Sequence, residues 1–286
     1  MPLPALRLKC NDQDVRVNGG KSMNYDKYTC FEASRQGRVL TLTMNRPDDL
    51  NAVNKDMHDE LGSIFYDAQL DDGADVIVLT GAGRAFSAGG DLAMMKRIAD
   101  GSDEPMLRLV DAKRIVFSLL DLEKPIIAAV NGHAMGLGAT IALLCDTIFM
   151  SSKAKIGDPH VKVGVVAGDG GCVIWPQLIG YAKAKEYLMT GDPIGAEDAE
   201  RMGLINHVTA PEETLAAAQA FAKRLADGPT VAIRWTKVSA NIGLKQLAHS
   251  IMDTSLAYEW LTFQADDHKE AITAFLEKRE PTFSDT

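Results

Sequence analysis

The sequence predicts one α/β domain built around buried parallel strands, followed by a helical C-terminal region. Two apolar runs, Asp75-Val76-Ile77-Val78-Leu79-Thr80-Gly81 and Pro125-Ile126-Ile127-Ala128-Ala129-Val130, each lead into a glycine-bearing loop and then a helical pattern. Continuous apolar runs bounded in this way suit strands buried on both faces of a parallel sheet. After Gly203 the chain turns almost wholly to helical spacing. No Pro/Ser-rich or single-charge stretch marks a linker, so the 286 residues are expected to form one large unit.

The elements follow in order. Residues 1–27 contain Asp12, Asp14 and Asp26 without a continuous hydrophobic stretch, and read as a loosely ordered extension, not a signal or transit peptide. Tyr28 to Ala33 and Arg38 to Asn45 alternate as two strands around Gln36-Gly37, with Pro47 stopping the pattern. Asn54 can cap a helix to about Gln69 that places Met57, Leu61, Ile64, Phe65 and Ala68 on one side, and strand 75–80 completes a βαβ unit. A helix from about Met106 to Leu120, strand 125–130, a helix after Gly136 and strand Asp146 to Ser151 repeat the arrangement. The tail offers helices over 211–227, 230–241, 244–261 and 265–277. The expected division is an extension at 1–27, an α/β core at 28–210 and a helical region at 211–286.

Composition narrows the function. A net charge of −9 opposes nucleic acid and anionic membranes as partners, although a local basic patch can act against the mean. No apolar run is long enough to span a bilayer. The four cysteines, Cys10, Cys30, Cys145 and Cys172, are scattered without zinc or redox spacing, which favours reduced thiols and a cytoplasmic location. No metal-ligand or phosphate-loop spacing is present, so neither a metal nor a separate cofactor is expected.

The loops Ala85-Phe86-Ser87-Ala88-Gly89-Gly90-Asp91 and Asn131-Gly132-His133-Ala134-Met135-Gly136-Leu137-Gly138 carry the chemistry. Each sits at a strand-to-helix junction, where the first helical amides lack internal partners and the dipole favours negative charge. Two such amides aimed at one point make an oxyanion hole, suited to the enolate or tetrahedral oxyanion of a thioester.

The order and spacing of these loops resemble the crotonase superfamily of enoyl-CoA hydratases and isomerases. The resemblance runs from about residue 28 to 283 and includes Asn45-Arg46-Pro47 with Leu50-Asn51-Ala52, Cys145-Asp146, Leu188-Met189-Thr190-Gly191, Gly203-Leu204-Ile205 and Ala274-Phe275-Leu276-Glu277-Lys278-Arg279. It implies a spiral of ββα units with a helical C-terminal trimerisation region, assembled as a homotrimer or dimer of trimers. It also implies an acyl-CoA substrate, with CoA as part of that substrate, oxyanion-hole amides at Ala88 and Leu137, and CoA contacts at Phe263 and Lys278.

The acid/base positions depart from the family. Where a typical hydratase carries two glutamates, this chain has Thr140 and His160. A threonine cannot cycle a proton near neutral pH, so the paired-carboxylate mechanism is not available in its usual form. Asp169 lies nine residues beyond His160, and the segment Asp158-Pro159-His160 to Trp175-Pro176 resembles the part of oxocamphor hydrolase, a carbon-carbon bond hydrolase, that supplies a catalytic His and Asp. His160 and Asp169 are therefore the expected catalytic pair, with Asp169 before Gly-Gly also a plausible helix N-cap. The sequence points to an enoyl-CoA hydratase-like lyase or isomerase of fatty acid metabolism acting through a stabilised enolate. A β-dicarbonyl hydrolase and a catalytically silent acyl-CoA-binding relative are the alternatives.

Overall fold

The computed structural model describes residues 22–102 and 109–284. Cys10, most of the expected extension and the expected helix start at Met106 lie outside these residues. The chain enters through a hairpin of β1 (Phe31–Gln36) and β2 (Val39–Met44), antiparallel with Phe31 opposite Met44. Helix α1 (Lys55–Leu70) follows, and the Asn54 side chain accepts the Met57 N–H at 2.9 Å, as a capping asparagine should.

Three successive units then repeat one plan. Strands β3 (Val76–Gly81) and β4 (Ala85–Ser87) precede α2 (Leu92–Ala99) and α3 (Leu109–Asp121). Strands β5 (Ile126–Val130) and β6 (His133–Met135) precede α4 (Leu137–Leu143). Strands β7 (Thr147–Ser151) and β8 (Lys155–Gly157) precede α5 (Gly171–Thr190). The first strand of each unit joins a six-stranded sheet and the second joins a four-stranded sheet, so the chain winds as a spiral of ββα turns. The short second strands have no sequence signal of their own, because three residues are too few to show a period.

The remaining elements are β9 (Ile194–Gly195), α6 (Ala196–Met202), β10 (His207–Thr209), α7 (Thr214–Ala226), α8 (Thr230–Phe263) and α9 (Asp266–Glu277). The large sheet runs β1-β2-β3-β5-β7-β10, and the small one β4-β6-β8-β9. Both faces of the large sheet are covered. Leu42, Ile77, Leu79, Ile126 and Ala128 belong to the main core with Met57, Leu61, Phe65 and Ile115, while Val76, Val78, Ile127 and Ala129 pack on Ala218 and Ala222 of α7. Helix α7, grouped by the sequence with the tail, thus completes the sheet. The two helices expected at 230–241 and 244–261 are one continuous helix, because Gly243 has open space around it and costs only about 1 kcal/mol in a helix interior.

Candidate active site

Both glycine loops emerge at the ends of strands of the small sheet and touch one another. A Cβ on Gly138 would lie 2.6 Å from the Ser87 Cβ, and one on Gly89 would lie 2.7 Å from the Met135 carbonyl oxygen. Only glycine permits this backbone approach. Gly136 adopts φ 52°, ψ −125° as the N-cap of α4, a conformation that presents the Leu137 N–H at the first helical position.

The first loop differs from its expected role in one respect. Ala88 is exposed and its N–H already donates to the Leu50 carbonyl at 3.0 Å, so that amide is unavailable to a ligand. The loop is pinned by Val53, whose N–H donates to Gly89 O at 2.7 Å and whose carbonyl accepts the Asp91 N–H at 3.1 Å. Between these bonds the Gly90 N–H meets no acceptor among the described residues, and neither does that of Leu137. Gly90 and Leu137 line one cavity together with His160 and Asp169.

His160 opens the short 3-10 turn that follows β8 and Pro159. The turn is held from outside by α9, where the Val163 carbonyl and His268 Nδ1 are 2.7 Å apart. The imidazole is buried between two carboxylates: Nδ1 is bonded to Asp158 Oδ1, and Nε2 lies 3.4 Å from Asp169 Oδ2. Asp169 Oδ1 accepts the Thr140 hydroxyl at 3.3 Å. Burial works against a charged imidazole, but the two carboxylates outweigh it and hold the His160 pKa well above 6.5. Asp158 and Asp169 both lie at the start of α5, where unpaired amides and the helix dipole favour negative charge; a Cβ on Gly171 would sit 2.2 Å from Asp158 Oδ2. The N-cap of α5 is Gly170, so the Asp169 side chain is directed to His160 and Thr140 and not to capping.

Ligand atoms of Asp158, His160 and Asp169 lie within 4.8 Å of one another, close enough in spacing for a metal ion. The donor set fits poorly. Each ring nitrogen already faces a carboxylate, which leaves no lone pair free for an ion while the imidazole is charged.

The cavity measures about 120 Å³ and is otherwise lined by Val53, Met94, Met95, Ile98, Leu256 and Phe263. Two polar residues of α8 join this apolar lining, Glu259 and Trp260, and so does His58 of α1. Burial, reinforced by the negative charge of Asp169, pushes the Glu259 carboxyl well above 4.5. Sequence reasoning missed Asp158, Gly90 and Glu259 as site residues. Asp158 could have been found from its place two residues before His160, whereas Glu259 had no motif, being one acid on a long amphipathic helix.

The family profile of the enoyl-CoA hydratases/isomerases matches residues 34–286. The chain is 35% identical to crotonyl-CoA hydratase of Syntrophomonas wolfei over 257 residues, 87% of this chain and 95% of the relative. It is 36% identical to short-chain-enoyl-CoA hydratase of Clostridium acetobutylicum, over 86% of this chain and 94% of that one. The chain belongs to the enoyl-CoA hydratase/isomerase family. The crystal structure of an enoyl-CoA hydratase/isomerase from Mycobacterium paratuberculosis superposes with a TM-score of 0.82 at 38% identity, covering 87% of this chain and 99% of that one. The crotonase fold is thereby established, while the likeness to oxocamphor hydrolase receives no support from these comparisons.

Of the other residues expected at the site of this family member, Phe263 lines the cavity and packs edge-on to His268 at 5.0 Å between centroids. Lys278 is exposed at the left-handed C-cap of α9 and does not line the cavity. His133 and Asp146 have structural roles, as His133 Nδ1 accepts the Lys155 N–H at 3.0 Å and Asp146 pairs with Lys237 at 2.8 Å.

Proposed function

We propose that this protein acts on an acyl-CoA thioester, with the Gly90 and Leu137 amides binding the thioester oxygen and His160 and Asp169 moving protons. The observation that carries the proposal is the imidazole of His160, framed by Asp158 and Asp169, lining the same cavity as two backbone amides that meet no acceptor among the described residues. Such amides favour the enolate over the neutral thioester, because the negative charge develops where the donors already point.

The imidazolium is an acid, so its part is donation. In hydration of a 2-enoyl thioester, Asp169 takes a proton from water as the water oxygen bonds to C3, and the electron pair of the double bond becomes the enolate held by the two amides. His160 then protonates C2. Proton return from Asp169 to His160 resets the site, and the 3.4 Å separation of Asp169 Oδ2 and Nε2 suits that transfer. Asp158 keeps the ring oriented and charged.

The same groups would serve cleavage of a β-dicarbonyl compound, in which Asp169 takes a proton from the water that attacks the second carbonyl, the carbon-carbon bond breaks to leave an acid and the enolate, and His160 protonates the enolate carbon. The replacement of the usual glutamate by Thr140 favours keeping this second reaction in view. A panel of 2-enoyl-CoAs, 3-oxoacyl-CoAs and free cyclic β-diketones followed by mass spectrometry tests both: water addition without chain cleavage supports the first, cleavage the second. No turnover and no binding of any thioester refutes the proposal.

Phe263 is proposed to contact the bound thioester, with Lys278 near the CoA phosphates. Large apolar side chains left open on the tail, Trp235, Tyr258 and Phe275, support a trimer or dimer of trimers. Light scattering that reports a stable monomer would refute the assembly.

A further inference from the structure

Helix α8 brings a further carboxyl group, that of Glu259, to the cavity that holds His160 and Asp169. Glu259 Oε2 is sealed from solvent without a hydrogen-bond partner and is packed over Gly168, where a Cβ would lie 2.7 Å from it. The other oxygen has no hydrogen-bond partner among the described residues, although the side chain lines the cavity. Two further polar atoms of the lining, Trp260 Nε1 and His58 Nδ1, are also buried and unpartnered. A pocket shaped for a plain hydrocarbon chain has no use for these groups, since each buried polar atom left unpaired carries a desolvation penalty.

We propose that the acyl group of the substrate carries a carbonyl oxygen of its own, beyond that of the thioester, and that the Glu259 carboxyl binds it. This rests on the acyl-CoA function proposed above. The chemistry of the binder follows from its surroundings. Burial and, after it, the neighbouring Asp169 carboxylate raise the Glu259 pKa well above 4.5, which favours the neutral carboxyl. A protonated carboxyl is an O–H donor and needs an acceptor, which a ketone oxygen provides and an alkyl chain does not. The room fits, because a cavity of about 120 Å³ holds a group near the size of one small ring. Met94 and Met95 of α2, which line the same cavity, supply flexible apolar contact for the remaining carbons.

The test is calorimetric binding of hexanoyl-CoA, 3-oxohexanoyl-CoA and 5-oxohexanoyl-CoA to the wild type, Glu259→Gln and Glu259→Leu. At least one oxo-thioester should bind the wild type about tenfold or more tighter than hexanoyl-CoA, the scale of one hydrogen bond in a buried site. Glu259→Leu should bring that ratio close to one, and Glu259→Gln, which keeps an N–H donor of the same shape, should retain part of it. Equal binding of all three thioesters by the wild type overturns the inference while leaving the acyl-CoA function standing. A ratio unchanged in Glu259→Leu also overturns it. Failure of all three to bind removes the acyl-CoA function and this inference together. Glu259→Gln is near-isosteric, so if the leucine variant fails to fold, a ratio reduced in Glu259→Gln supports the inference and a ratio unchanged in it overturns it.

Discussion

Asp169 divides its two carboxylate oxygens between Thr140 and His160, with Oδ1 3.3 Å from the threonine hydroxyl and Oδ2 3.4 Å from the imidazole Nε2. The Thr140 hydroxyl therefore orients Asp169, the carboxylate proposed above to move protons. His160→Ala and Asp169→Asn should each lower kcat by about 10²–10⁴ on the true substrate. Thr140→Val removes one orienting hydrogen bond and should cost about tenfold or less. Steady-state kinetics on the substrate found in the panel checks the ranking, and equal effects for all three would contradict it.

Leu137 allows a backbone donor to be deleted by a side-chain change. It occupies the first position of α4, where proline is tolerated because the N–H makes no helical bond. Leu137→Pro should keep the fold, as circular dichroism would show, and lower kcat by about 10²–10³ through loss of one oxyanion donor. Full activity would place the hole elsewhere.

The His160 pKa is raised on folding, which fixes the sign of a pH effect. An imidazole of this kind contributes its full stabilisation below the unfolded value of about 6.5 and loses it as pH rises through the folded value. The melting temperature of the wild type relative to His160→Gln should accordingly shrink as pH is raised above neutrality. Thermal scans at several pH values test this, and a difference that grows toward alkaline pH would contradict it.

Lys124 is a buried cation that closes α1. Its Nζ donates to the carbonyls of Ala68 at 2.8 Å and Asp71 at 2.6 Å, and burial, with Arg234 adding to it, pushes its pKa down to about 8. Lys124→Met fills similar volume but removes the charged donor from both carbonyls, leaving Ala68 O only the Asp71 N–H at 3.4 Å and Asp71 O only the Ala74 N–H at 3.1 Å, which should cost about 1–3 kcal/mol. Denaturant unfolding measures the change, and unaltered stability would show that water replaces the amine.

Much of the large sheet could be read from the chain because its strands are apolar on both faces and its α1 helix carries an explicit cap. What was hidden is what long-range contacts decide. Strands β4, β6 and β8 are defined by their pairing in the small sheet, and Gly243 passes unnoticed within α8 since nothing crowds it. At the site, His160 and Asp169 were visible through a family register. Register alone points to Ala88, because it does not reveal that the Leu50 carbonyl accepts the Ala88 N–H, whereas the Gly90 N–H meets no acceptor among the described residues. Glu259 needed the fold itself, because 90 residues separate it from Asp169.

The direct seating of Gly138 on Ser87, and of Gly89 on Met135, makes the two loops one mechanical unit. Their spacing is set by atoms on or next to the main chain, so it does not depend on the longer side chains around them. Substitutions at 140, 160 and 169 can change the chemistry of the cavity while the loops stay in place, whereas a single methyl group at position 89 or 138 would push them apart.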